Sequence, residues 1–135
     1  MDEGAAFFKL FLDHPCERVC VENPIMHKYA VERIGGVKQS QSIQPYEYGH
    51  PVSKRTCLWL KGLPLLRPTN ILEKPESGLW DNQTPSGRCK LPPSADRWKI
   101  RSKTYEGIAE AMASQWPGES PEQMEFLFTP IGVNK

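Results

Sequence analysis

Between positions 64 and 93 the chain carries prolines at 64, 68, 75, 85, 92 and 93, a spacing that excludes a long helix or a central strand. Each proline fixes its own φ, removes a backbone donor and restricts the residue before it. The span 64–98 therefore reads as a long loop or small insertion, of a kind that in a compact domain is more often functional or mobile than inert. Regular structure has to form on either side of it. At 135 residues the chain is one domain by length, large enough to bury roughly two thirds of its unfolded surface. Residues 1–116 are expected to form that domain, and 117–135 an acidic tail that frays or docks as a short segment.

Ahead of the loop, Ala5 to Asp13 is a short helical candidate, apolar nearly all round apart from Lys9. Arg18 to Glu22 has the β-branched content of a short buried strand, stopped by Pro24. Met26 to Ile34 has helical spacing and ends at Gly35-Gly36. Ser42 to Gln44 opens a second strand and Thr56 to Lys61 is a third. A connection through Gly49 and Pro51 would make these two an antiparallel pair. After the loop, Ser102 is a good N-cap, and Tyr105, Ile108, Ala109, Met112 and Trp116 form one apolar stripe that reads as core.

The formal charge of +1 hides a strong segregation. Residues 1–53 carry five basic and seven acidic side chains, residues 54–103 eleven and four, and residues 104–135 one and five. The middle segment is thus a candidate surface for a polyanion or an acidic partner, or else a set of solvated loop charges. Trp59, Trp80 and Trp98 could stack on bases beside the basic residues of 88–103, although separated tryptophans more commonly anchor cores.

The acidic start, Met1-Asp2-Glu3-Gly4, is unlike a secretory signal, and no apolar run approaches the ~20 residues a bilayer span needs. A cytoplasmic protein without a membrane partner is expected, with Cys16, Cys20, Cys57 and Cys89 as reduced thiols. The cysteines and histidines lack the paired knuckles of a structural zinc site, so no metal site is expected.

Two segments carry a resemblance. Glu22-Asn23-Pro24 closes an apolar stretch, and Tyr48-Gly49-His50-Pro51 is followed by Ser53-Lys54-Arg55 and then Cys57-Leu58-Trp59-Leu60. In order and residue class they resemble the later part of DNA cytosine-5 methyltransferases, where a Glu-Asn motif ends a strand and a Tyr-Gly-x-Pro-Gln segment precedes a basic cluster. Val52 stands where that family has glutamine. The chain is closer still to small phage and prophage cytosine-methyltransferase-like proteins, through Gln44-Pro45-Tyr46-Glu47-Tyr48-Gly49-His50-Pro51, the run Arg55 to Pro64, and Arg101-Ser102-Lys103-Thr104 before Gly107-Ile108-Ala109-Glu110-Ala111-Met112. This likeness spans nearly everything from Phe7 to Trp116.

The resemblance implies an α/β fold: an incomplete Rossmann-like methyltransferase sheet with an antiparallel strand pair, a long proline-rich loop and a carboxy-terminal helix. It implies for Glu22 the carboxylate that holds the ring nitrogen of a flipped cytosine. For Lys54 and Arg55 it implies the basic cluster that helps hold substrate and cofactor groups. Asn23, Arg88, Lys90, Arg97, Lys99, Arg101 and Lys103 complete the candidate binding set. The family's glycine-rich cofactor turn and Pro-Cys nucleophile motif have no counterpart here. His14-Pro15-Cys16 lies too close to Glu22 to be that motif, and only Arg18 near it could lower a thiol pKa.

Two function classes are therefore expected. In the first, the chain has lost catalysis and acts by binding a protein or nucleic acid, for example as a phage counter-defence inhibitor of restriction or CRISPR. In the second, it is the carboxy-terminal half of a split DNA cytosine-5 methyltransferase, active only with a partner subunit. No cofactor is expected on the chain alone, and S-adenosylmethionine only with a complementing half. A protein partner or a second copy is expected at the strand edge near Val19-Val21 and the Phe7-Phe11 helix, where uncovered apolar edges invite pairing.

Overall fold

A computed structural model describes residues 2–117, so that all but the first residue of the expected acidic tail, 117–135, lies outside the described residues. The chain divides into two compact units. Unit 1 holds the residues up to Ile43 together with Arg55–Leu65. Unit 2 holds Gln44–Lys54 with Leu66–Pro117.

Unit 1 is built on a three-stranded antiparallel sheet of β1 (Val19–Pro24), β2 (Gln41–Ile43) and β3 (Thr56–Lys61), in the order β1-β3-β2. Helices α1 (Asp2–Leu12) and α2 (Lys28–Arg33) accompany it. Val21 pairs with Trp59 and Asn23 with Cys57 across β1 and β3, while Ile43 of β2 pairs with Thr56. Side chains alternate across a strand, so Val19 and Val21 reach the same face as Cys57 and Trp59, and Ala5 and Phe8 of α1 join them in the buried cluster with Ile34. Phe8 meets the Trp59 ring edge-on at 4.9 Å, and the indole N–H donates to the Val37 carbonyl at 3.1 Å. The apolar circumference of α1 is only partly used, with Phe7 and Leu10 exposed.

Gly62 closes β3 in the left-handed region, φ +66°, where a Cβ would stand 2.0 Å from the Glu17 carbonyl oxygen. Glycine is required there twice over, by conformation and by the backbone's close approach.

Unit 2 is mostly irregular, as the prolines dictate. A 3₁₀ turn over Pro45–Glu47 starts it, and α3 (Arg97–Arg101) and α4 (Glu106–Gln115) end it. The capping box of the first turn is reciprocal, with Glu47 Oε2 accepting the Gln44 N–H at 2.7 Å. The intervening loop is tied by specific polar contacts. Asn82 clamps Ser53 from both sides, its Oδ1 accepting the Ser53 N–H at 2.9 Å and its Nδ2 donating to the Ser53 carbonyl at 2.7 Å. Gln44 Oε1 accepts the Lys54 N–H at 2.9 Å. Gln115 of α4 exchanges two hydrogen bonds with the Arg67 backbone. The Tyr46 and Trp80 rings stack at 4.6 Å.

The α/β expectation holds in its general form: strands and helices are mixed around a small antiparallel sheet. All three strands run antiparallel, whereas a doubly wound sheet is mostly parallel, and β1 pairs with β3 rather than with strands supplied from elsewhere. The expected antiparallel pair of the second and third strands is present as β2 and β3.

The final helix starts later than its stripe suggests. Tyr105 is its N-cap, and Ser102 instead ends α3, donating its N–H to Trp98 O and its hydroxyl to Lys99 O. Among the described residues no helix is long and apolar enough to cross a membrane.

Candidate functional site

In unit 1, strand pairing brings Glu22, Asn23 and Arg55 to one end of the β1–β3 ladder, since Glu22 is in register with Leu58 and Asn23 with Cys57, and Arg55 immediately precedes β3. Glu22 and Asn23 are half-buried and Arg55 is exposed. Burial pushes the Cys20 thiol up to about 12, with the Glu22 carboxylate adding to the rise. Burial raises Cys57 as well; Arg55 opposes the rise and Glu22 reinforces it. Both thiols beside Glu22 are therefore protonated at neutral pH, and a protonated thiol is a poor nucleophile.

The third thiol of this unit is structural. Cys16 Sγ donates to the Arg18 carbonyl at 3.3 Å, and the Cys16 N–H donates to His14 Nδ1 at 3.1 Å, which makes His14-Pro15-Cys16 a locally bonded turn.

In unit 2, three stretches of chain converge. Lys54 Nζ donates to the Arg101 carbonyl, so a lysine from the start of the unit covers the last turn of α3, where a cation suits the helix dipole. The turn from Asn82 to Lys90 doubles back through Gly87, with the Lys90 N–H on Asn82 O and the Gln83–Cys89 bridge between its arms. This carries Cys89 close enough to Arg97 and Arg101 for both to act on its thiol.

Cys89 is the thiol whose pKa falls. The Leu91 N–H is the largest cause, and the Arg97 hydrogen bond and the charges of Arg101 and Arg97 help, against a smaller opposing effect of burial. Tyr105 rises, through burial and then the nearby Cys89. Arg97 Nε is buried without a hydrogen-bond partner. Of the candidate binding residues, Lys54, Arg88, Lys90, Arg97, Lys99, Arg101 and Lys103 thus all belong to unit 2, while Glu22, Asn23 and Arg55 belong to unit 1.

Sequence reasoning did not single out Cys89, because its partners Arg97 and Arg101 come from a helix beyond Pro92-Pro93. The available signal was the four-residue spacing of those arginines, which places both on one helical face.

Iodoacetamide at near-neutral pH is expected to modify Cys89 well before Cys20 and Cys57, as read by peptide mass mapping. The thiolate is the reacting form. The Cys89 rate should therefore fall only as pH drops through its lowered pKa, and Arg97→Gln should move that fall to higher pH. Equal rates at the three thiols would contradict this arrangement.

The Tyr48-Gly49-His50-Pro51 motif has an architectural part. His50 Nε2 accepts the Gly107 N–H at 2.9 Å, capping the first turn of α4 from 57 residues away, and its ring lies 5.1 Å from that of Tyr105. Gly49 adopts φ +88° and donates its N–H to Asn70 O at 2.9 Å. Among the described residues no group of three or more His, Cys, Asp or Glu side chains is placed to hold a metal ion. Compared with known proteins, the chain matches no family model, no curated protein and no solved structure.

Proposed function

We propose that this is a methyltransferase-like protein of phage or prophage type that acts by binding a polyanionic or acidic partner, in a counter-defence role against restriction or CRISPR machinery. The observation that carries this reading is the gathering of basic side chains in unit 2. Lys54 joins six further basic residues between 88 and 103, opposed in that span by Asp96 alone. A surface of this kind attracts polyanions through long-range electrostatics. The chemistry around Glu22 supports binding over catalysis by this unit, since neither neighbouring thiol is ionised.

The test is retention on immobilised heparin. Wild-type protein is expected to be retained well above physiological salt, and a Lys90→Glu, Lys99→Glu, Lys103→Glu variant to elute far earlier. Coincident elution of the two would contradict the reading.

One observation favours the second class of function, in which this chain is half of a split S-adenosylmethionine-dependent DNA cytosine-5 methyltransferase. Glu22 lies toward the end of the β1–β3 ladder that Arg55 precedes, on the face opposite Asn23, and a carboxylate at that end suits presentation to a base. Methyl transfer that appears only when a second polypeptide is added, and is lost in Glu22→Gln, would favour that class. In either class the exposed Phe7 and Leu10 of α1 and the outer edge of β1 are the proposed contact for a protein partner or second copy.

A further inference from the structure

Tryptophan is highly buried on average, and three of the four here follow that tendency. Trp59, Trp80 and Trp116 are 3%, 7% and 2% exposed, and each serves a core. Trp98 is different: it is 62% exposed, on α3, which also exposes Ile100 at 54%. Helix α3 reads Arg97-Trp98-Lys99-Ile100-Arg101, so the one exposed indole lies on a short helix whose other residues are mostly cationic.

Residues three apart on a helix are surface neighbours, which places Arg101 next to the Trp98 ring. The turn that returns the Lys90 N–H to Asn82 O carries Cys89 near enough to Arg97 and Arg101 for both to act on its thiol, which sets Arg88 and Lys90 near the same helix, and Lys103 follows within two residues of its end. Arg88, Lys90, Lys99, Arg101 and Lys103 are all exposed.

We propose that unit 2 binds single-stranded nucleic acid, with Trp98 stacking on a base and Arg88, Lys90, Lys99, Arg101 and Lys103 holding the neighbouring phosphates. The inference rests on the polyanion-binding reading of the same surface and adds to it a ligand class and a recognition residue. An exposed aromatic ring among cations is the arrangement that tracks a single strand, because every unpaired base offers a π face and the backbone offers a charge at each step. A duplex hides those faces in its stack, and reading its edges requires a helix or ribbon seated in the major groove. Helix α3, at five residues, is a short platform suited to carrying one ring. A single stacked base is recognised without hydrogen bonds, so binding is expected to tolerate base sequence.

The experiment is fluorescence anisotropy with a labelled oligothymidylate of about 12 nucleotides, within the range one binding platform covers, run beside heparin retention on the same proteins. Trp98→Ala is expected to weaken oligonucleotide binding about tenfold or more, the order expected for one lost base stack. Trp98→Phe should recover most of it, and both variants should keep wild-type retention on heparin. The exposure of Trp98 keeps its replacement from disturbing a core. Trp98→Ala binding the oligonucleotide as tightly as wild type, or a duplex of equal length binding as well as the single strand, overturns the stacking proposal. If heparin retention is intact in that case, the polyanion reading stands without it. A wild-type protein retained by neither probe overturns both.

Discussion

A Gly107→Ala variant is expected to lose about 3 kcal/mol or more of stability, on the scale of overpacking against an unyielding neighbour. Helix propensity alone predicts the opposite, since alanine is favoured over glycine by about 1 kcal/mol inside a helix. Packing decides the sign. A Cβ at this position would stand 2.1 Å from the Tyr48 carbonyl oxygen and 2.9 Å from His50 Nε2. The imidazole could turn aside, but the carbonyl belongs to a buried residue whose backbone N–H is itself bonded to Pro45 O. Moving the helix away instead breaks the 2.9 Å bond from the Gly107 N–H to His50. Chemical denaturation followed by circular dichroism reads the effect directly. His50→Ala supplies a scale, because it removes the cap without adding bulk and should cost only about 1 kcal/mol. A Gly107→Ala variant as stable as wild type would mean that α4 does not pack on Tyr48 as described.

Trp59→Ala is expected to be comparably damaging in unit 1, at about 3–5 kcal/mol. The ring is 3% exposed, stands edge-on to Phe8 and fills the cluster between α1 and the sheet. Its loss leaves a cavity bounded by Val21 and Cys57, and it removes the indole donor from the Val37 carbonyl. Trp59→Phe separates these contributions, since it keeps an aromatic ring but not the donor, and should recover more than half of the loss. Denaturation of the three proteins side by side gives the comparison. Equal stability of wild type and Trp59→Ala would show that α1 is not seated on this face of the sheet.

How far these features were legible in the sequence depended on whether they were local. Strand β3 emerged with its full bounds, Thr56–Lys61, because a short apolar run with β-branched and aromatic content, bounded by a basic residue at each end, reads as a strand, and its first four residues are buried. The final helix was legible from its stripe, but Ser102 looked like its N-cap when it closes α3 instead. A serine after a basic helix and before an amphipathic one satisfies either end locally, and only the long-range His50 cap on Gly107 settles which turn begins α4. The pairing of β1 with β3 was hidden for a related reason. The Glu22-Asn23-Pro24 segment pointed to strands of a larger parallel sheet, whereas β3, more than thirty residues later, closes the ladder antiparallel.

At the candidate sites, the basic run was plain from composition, but the division of its tryptophans into buried Trp59 and Trp80 and exposed Trp98 was not. Burial is decided by tertiary packing, which residue type does not encode. Cys89 was invisible on the same ground, since its surroundings are assembled from the loop at Leu91 and from α3.

The proposed binding of a polyanion by unit 2 is read by the salt dependence of its affinity for single-stranded DNA. Each phosphate neutralised contributes a slope of about −0.7 to a plot of log K against log salt for a single strand. With several of the basic residues between 88 and 103 engaged, the wild-type slope is expected at about −2 to −4. The Lys90→Glu, Lys99→Glu, Lys103→Glu variant is expected to bind weakly with a shallower slope. A wild-type affinity that does not change with salt, or a slope that the charge reversals leave untouched, would contradict the account.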